Sequence, residues 1–219
     1  RGAVWVVFLD SDGLVLNEQK ISDLEGGFTG VLDDGDQFGQ AVAGVGDLNG
    51  DGVPDLAVGA PQDDDGALNA GAAWILFLNT DGTVASHRKI SAAGDLAGRL
   101  DPGDEFGTAL AFLSFLGGSD DPTLAAGSAF DDDGMIDTGG VYLLDLATDG
   151  TATERQKISA TEGGFGGVLA TDDCFGCSLG ALGDLDGDSI DDLAIGAFSD
   201  SENGFFRGAV WVTFLNADG

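Results

Sequence analysis

Apolar residues fall in short runs along this chain, separated by clusters of Gly, Asp and Asn, and no stretch carries a 3.6-residue stripe of useful length. Phe38 to Gly44, Leu56 to Ala60, Gly71 to Leu78 and Arg88 to Ser91 are rich in Val, Ile, Leu and aromatic residues and predict four short strands joined by turns. The pattern then repeats. The run Gly-Asp-Gln-Phe-Gly beginning at Gly35 returns as Gly103 to Gly107 and as Asp172 to Gly176, a period of roughly 68 residues. In phase with it, Lys-Ile-Ser recurs at Lys20, Lys89 and Lys157, and an aromatic at Trp5, Trp74, Tyr142 and Trp211. Arg1 to Val6 reappear as Arg207 to Val212, so the chain begins and ends inside a repeat.

Four antiparallel strands per repeat predict an all-β protein built from propeller blades, small sheets stacked face to face around a channel. A β-solenoid is the rival, but its coils are much shorter than this period. The expected division is a partial blade at 1–34, blades at 35–102 and 103–171, and a partial blade at 172–219. A third strand at Gly2 to Leu9 and a fourth at Gln19 to Ser22 open the chain, and another third strand, Gly208 to Leu215, closes it. Three periods do not complete a ring, so a segment of a longer array is expected first and assembly between copies second. The in-phase recurrence predicts that Phe38, Phe106 and Phe175 are buried at equivalent places, with Trp5, Trp74, Tyr142 and Trp211 packed in the third-strand layer.

Charge narrows the function. Of 219 residues, 39 are acidic and 8 basic, a formal net charge of −31, which excludes nucleic acid and an anionic membrane surface as partners. Apolar residues still make up 43% and include 14 Phe, enough for a packed core. No apolar run approaches the roughly 20 residues that span a bilayer, so no membrane insertion is expected. The chain opens at Arg1 directly into a strand, without a signal peptide, and is expected to be a processed or excised piece.

Two loops carry candidate chemistry. Asp47, Asn49, Asp51 and Asp55 place side-chain oxygens at loop positions one, three, five and nine, with the Val53 carbonyl at seven; Asp184, Asp186, Asp188, Asp192 and the Ile190 carbonyl repeat that spacing. Such oxygen-rich, flexible loops suit Ca²⁺. A solvated Asp/Asn/Gly turn is the bland alternative, but crowded carboxylates repel one another unless a cation sits between them. Gly52 at position six permits a positive φ, and Ser189 in the third loop is a mild weakening. Neither loop is an EF-hand, since position twelve is Val58 or Ile195. The middle repeat has Phe115, Gly117, Ser119 and Thr123 at these places, and its metal site is expected to be lost.

Phe38-Gly39, the Asp-x-Asn-x-Asp-Gly-x-x-Asp loop, Asp55-Leu56-Ala57-Val58-Gly59-Ala60-Pro61 and Gly71-Ala72-Ala73-Trp74 together resemble the FG-GAP repeat of integrin α-subunit propellers and of many bacterial surface proteins. Gly127-Ser128-Ala129 and Gly196-Ala197-Phe198 depart from Gly-Ala-Pro. The resemblance implies a seven-bladed extracellular propeller whose loops bind Ca²⁺ and whose faces bind protein ligands. The calcium loops carry over residue by residue; a ligand site does not.

Other features are weaker. Asp63-Asp64-Asp65-Gly66 and Asp131-Asp132-Asp133-Gly134 read as solvated hairpin loops, with another cation site as the alternative. Cys174 and Cys177 are either a local disulfide or two free thiols, and lack the βαβ context of a redox pair. His87 reads as a solvated loop residue. No nucleophile motif, His-Glu-x-x-His or phosphate-cradling loop is present. The expected function is therefore a non-catalytic, calcium-stabilised adhesion or interaction module at the cell surface or secreted, with an unknown protein or glycan ligand. The alternatives are a structural subunit assembling through open blade edges and an accessory propeller of a larger secreted enzyme.

Overall fold

The computed structural model describes residues 1–114, 116–117, 121–201 and 206–216. Every regular element among them is a β-strand, and all strand pairing is antiparallel within four sheets. The first sheet holds β1 (Val4–Leu9) and β2 (Val15–Ile21). The second runs β3 (Val42–Gly46), β4 (Asp55–Ala60), β5 (Ala72–Leu78) and β6 (Val84–Ser91) in that order. The third repeats it with β7 (Phe106–Leu113), β8 (Thr123–Ser128), β9 (Gly140–Leu146) and β10 (Ala152–Ser159). The fourth has β11 (Phe175–Gly183), β12 (Asp192–Ala197) and β13 (Ala209–Thr213). The four sheets follow one another as blades of an incomplete propeller, and none closes on itself.

Strand positions follow the pattern with two shifts. Phe38 lies ahead of β3 rather than inside it, in a parallel bridge to Gly2. The fourth strand starts at Val84 rather than Arg88, because the polar-looking Ala85-Ser86-His87 still pairs along the length of β5, from Ala72↔Ser91 to Leu78↔Val84. Central strand β5 is buried at every position, as a strand covered on both faces must be.

One joint links successive blades. The Phe38 N–H donates to the Arg1 carbonyl (2.7 Å), that of Phe106 to Ala70 (2.9 Å) and that of Phe175 to Thr138 (2.9 Å). All three rings are buried, as the repeat requires. Three apolar clusters fill the spaces between adjacent sheets, around Phe38, Phe106 and Phe175 respectively.

The third-strand aromatics behave differently from one another. Trp74 and Trp211 each meet a Phe from the loop entering the blade, Phe28 and Phe165, edge-on with centroids 5.1 Å apart. Tyr142 packs edge-on against Phe106 at 5.6 Å and donates its hydroxyl to the Arg99 carbonyl at 2.8 Å. Trp5 is 57% exposed, against the expectation of burial. No ring of a described residue stacks on it.

Candidate metal centre

The third Asp-rich loop gathers its carboxylates. Oxygens of Asp184, Asp186 and Asp188 all lie within 4.8 Å of one another, and all three residues are exposed. The loop is wrapped by its own amides. Asp184 accepts the N–H groups of Gly187 (2.6 Å) and Ser189 (2.9 Å), Asp186 that of Asp188 (3.2 Å), and Asp188 that of Ile190 (2.9 Å). Ser189 holds φ +73°, so position six takes the left-handed conformation even without glycine.

The first loop has the same wrap. Asp51 donates its N–H to Asp47 Oδ1 and to Asn49 Oδ1, both at 2.9 Å, while Gly52 (φ +89°) donates to Asp47 Oδ2 and Val53 to Asp51 Oδ1. Asn49 also donates its side-chain amide to Asp51 at 2.9 Å, so positions one, three and five converge here as well.

Position nine is placed apart from the others, in the loop floor. Asp55 is buried and accepts the N–H groups of Leu48 (3.0 Å) and Leu78 (3.1 Å); Asp192 does the same for Leu185 (2.8 Å) and Leu215 (3.0 Å). These carboxylates tie the loop to the end of the third strand, and each oxygen keeps a further lone pair. Burial pushes the Asp55 carboxyl above its ordinary range.

The family model described as FG-GAP repeat matches residues 38–76 and 178–213, the two stretches that contain these loops. These are FG-GAP repeats. The chain is similar to integrin alpha-7 of Homo sapiens, 32% identical over 164 residues that make up 75% of this chain and 12% of that protein. It is 32% identical over 168 residues to integrin alpha-6 of Gallus gallus and 33% over 172 to integrin alpha-4 of Xenopus laevis, covering 14% and 15% of those proteins. The chain thus spans a small part of the length of these relatives.

The FG-GAP repeat handles its second acidic loop differently from the solvated hairpin expected for Asp63 to Asp65 and Asp131 to Asp133. Lys157, the lysine of Lys-Ile-Ser on β10, pairs with Asp131 (2.6 Å) and Asp133 (2.7 Å), is 4% exposed, and lies 5.0 Å from the Tyr142 ring centre. Lys89 on β6 pairs with Asp63 (2.6 Å) and Asp65 and lies 5.1 Å from the Trp74 centre. Each loop therefore receives a protein cation. Burial pushes the Asp131 carboxyl up and opposes the Lys157 charge, but bonds from both carboxylates outweigh that opposition and hold the ammonium above its usual value. Among the described residues no salt bridge reaches the Asp184 to Asp188 loop, and Arg1, Lys20, Arg88, Lys89, Arg99, Arg155 and Lys157 pair with other carboxylates.

In the middle repeat, Phe115 and Ser119 lie outside the described residues. Gly117 accepts a bond from Arg155 Nη1 (2.9 Å), and Arg155 Nε and the Thr123 hydroxyl both donate to Asp145 (2.9 Å each). An arginine thus reaches the loop whose acid ligands are missing. Cys174 and Cys177 are free thiols, and burial pushes Cys174 up to about 11. His87 is not in a loop. It sits on β6, accepts or donates one bond with the Thr29 hydroxyl (3.1 Å) and packs on Phe28 and Trp74, and burial holds its pKa down.

Proposed function

We propose that this chain is a non-catalytic, calcium-stabilised propeller module of an extracellular or cell-surface protein, used for adhesion or for binding a protein or glycan ligand. The observation that carries it is the convergence of Asp184, Asp186 and Asp188 within 4.8 Å with no basic side chain among them. The donor set is all oxygen, the chemistry Ca²⁺ prefers, and the loop is closed by its own N–H groups rather than by a protein cation. Bound Ca²⁺ would be held by Asp184, Asp186, Asp188, Asp192 and the Ile190 carbonyl, and in the first loop by Asp47, Asn49, Asp51, Asp55 and the Val53 carbonyl. Exposed loops of this kind bind in the range that external millimolar calcium fills and the cytosol does not. Likeness to integrin alpha subunits supports the adhesion reading. No helix of the described residues is long and apolar enough to cross a membrane.

Thermal unfolding with Ca²⁺ and with a chelator tests the proposal. Chelation is expected to lower Tm, and Asp188→Ala to reduce that response. Equal melting in both buffers would contradict it.

A further inference from the structure

The third Asp-rich loop is held from outside as well as from within. Position eight of that loop is Asp191, between the Ile190 carbonyl at seven and the buried Asp192 at nine. Its Oδ2 accepts both the N–H and the hydroxyl of Ser114, each at 2.7 Å. Ser114 directly follows β7, the first strand of the third sheet, whereas Asp191 directly precedes β12 of the fourth. The pair therefore crosses from one blade to the next, between residues 77 apart in the chain.

The backbone around this pair is anchored across the same junction. Leu113 and Leu116 lie beside Ser114, Ile190 and Leu193 lie beside Asp191, and all four are buried in one apolar cluster. The side chain of Ile190 thus fixes the residue whose carbonyl is loop position seven. Asp192 is tied down in turn by the N–H groups of Leu185 and Leu215, at 2.8 and 3.0 Å. Three consecutive residues are therefore held by three different contacts: Ile190 by the core between the blades, Asp191 by Ser114, and Asp192 by the floor of its own blade. By contrast, the exposed carboxylates of Asp184, Asp186 and Asp188 accept amides of the loop itself. The first loop has Pro54 at position eight, which offers no carboxylate for such a bond.

We propose that Ser114 is a positioning residue of the third calcium loop. It holds Asp191 against the preceding blade and so fixes, before an ion arrives, the backbone of positions seven to nine, which carries two of the proposed ligands. This inference rests on the reading of that loop as a calcium site. A ligand segment ordered in advance loses less conformational freedom when the ion binds, which raises affinity without adding a ligand. Bonds to an ionised acceptor are the stronger kind, so two donors on one carboxylate oxygen suit the task. The coupling also runs in reverse, because an effect of the Ser114 contact on calcium affinity requires an equal effect of calcium on that contact. Calcium in the third loop therefore strengthens the junction with the middle repeat. That repeat lacks acid ligands of its own and contributes instead to the site of its neighbour.

Calorimetric titration of the full 219-residue chain with Ca²⁺ tests the proposal. Ser114→Ala keeps the N–H and removes the hydroxyl at an exposed position, so the variant is expected to fold. It should weaken the site that Asp188→Ala abolishes by at least about threefold, the loss of one hydrogen bond to a charged group. The site that Asp51→Ala abolishes should keep its affinity, and Ser114→Thr, which restores a hydroxyl, should restore the third-loop affinity. In an Asp191→Ala background Ser114→Ala should have no further effect, since its partner is already gone. Unchanged affinity in Ser114→Ala, equal weakening of both sites, or a full further loss in the Asp191→Ala background overturns this proposal alone. A parent chain with no ion that Asp188→Ala removes overturns the calcium reading of the loop, and the role of Ser114 with it.

Discussion

Gly59 of one blade lies against Gly107 of the next so closely that a Cβ on Gly59 would sit 2.0 Å from the Gly107 carbonyl oxygen. The same contact recurs between Gly127 and Gly176, again at 2.0 Å. Two distant parts of the repeat motif are therefore the two halves of one joint. The Phe-Gly of one blade enters the space left by the missing side chain in Gly-Ala-Pro or Gly-Ser-Ala of the blade before it, and the buried Phe ring locks the approach.

Gly59→Ala should cost about 3 kcal/mol or more in denaturant unfolding, because the clash is with backbone and cannot be relieved by a rotamer change. Gly44→Ala, whose Cβ would meet nothing within 4 Å, is the control and should change stability by less than about 1 kcal/mol. Equal effects would mean that the blades are not joined in this way.

Phe106→Ala should cost about 3–5 kcal/mol, the usual range for a fully buried Phe. Trp5→Ala should cost less than about 0.5 kcal/mol, since Trp5 is largely exposed. Unfolding curves of the two variants at one temperature check the contrast.

Lys157→Met removes the cation paired with both Asp131 and Asp133 while keeping most of the apolar stem. It should destabilise by about 3–5 kcal/mol, the range for breaking a buried pair. Lys20→Met, whose pair with Glu25 is open to solvent, should change stability by less than about 1 kcal/mol.

The Asp104 carboxyl is pushed up to about 7 by burial, with the nearby Asp131 charge adding to the effect and Lys157 opposing it. The native carboxyl then keeps its proton to about pH 7, whereas the unfolded chain releases it near pH 4. Between those values the native state binds more protons, so this group's contribution to stability falls as pH rises through the window and is level above it. Asp104→Asn keeps the acceptor for the Asp101 N–H (2.8 Å) and removes the charge. Its stability relative to the parent should rise by at least about 1 kcal/mol from pH 4.5 to 7.5. A flat difference across that range would place the titration elsewhere.

Much of the fold could be read from the chain because each repeat meets the same neighbours. The strands, the buried Phe38, Phe106 and Phe175, and the convergence of Asp184, Asp186 and Asp188 depend on local spacing repeated in phase. The misread residues depend on partners far along the chain. Lys89 meets Asp63 across 26 residues and Lys157 meets Asp133 across 24, so the acidic loops looked solvated when their counter-ions lay on the fourth strand. His87 sits in a polar stretch, and only its contacts with Phe28 and Trp74 show it to be part of a strand. Trp211 is covered by Phe165, which belongs to the preceding loop rather than to the strand itself, so the exposure of Trp5 could not be read from a strand sequence the two share.

The claim that the first and third Asp-rich loops are calcium sites is tested most directly by counting bound ions. Calorimetric titration of the 219-residue chain with Ca²⁺ should show two sites, each adding roughly 2.7 kcal/mol of stability at a hundredfold excess over its Kd. Asp51→Ala should remove one site, Asp188→Ala the other, and the double variant both. A titration with no bound ion, with a third site, or with two sites surviving in the double variant would contradict the account.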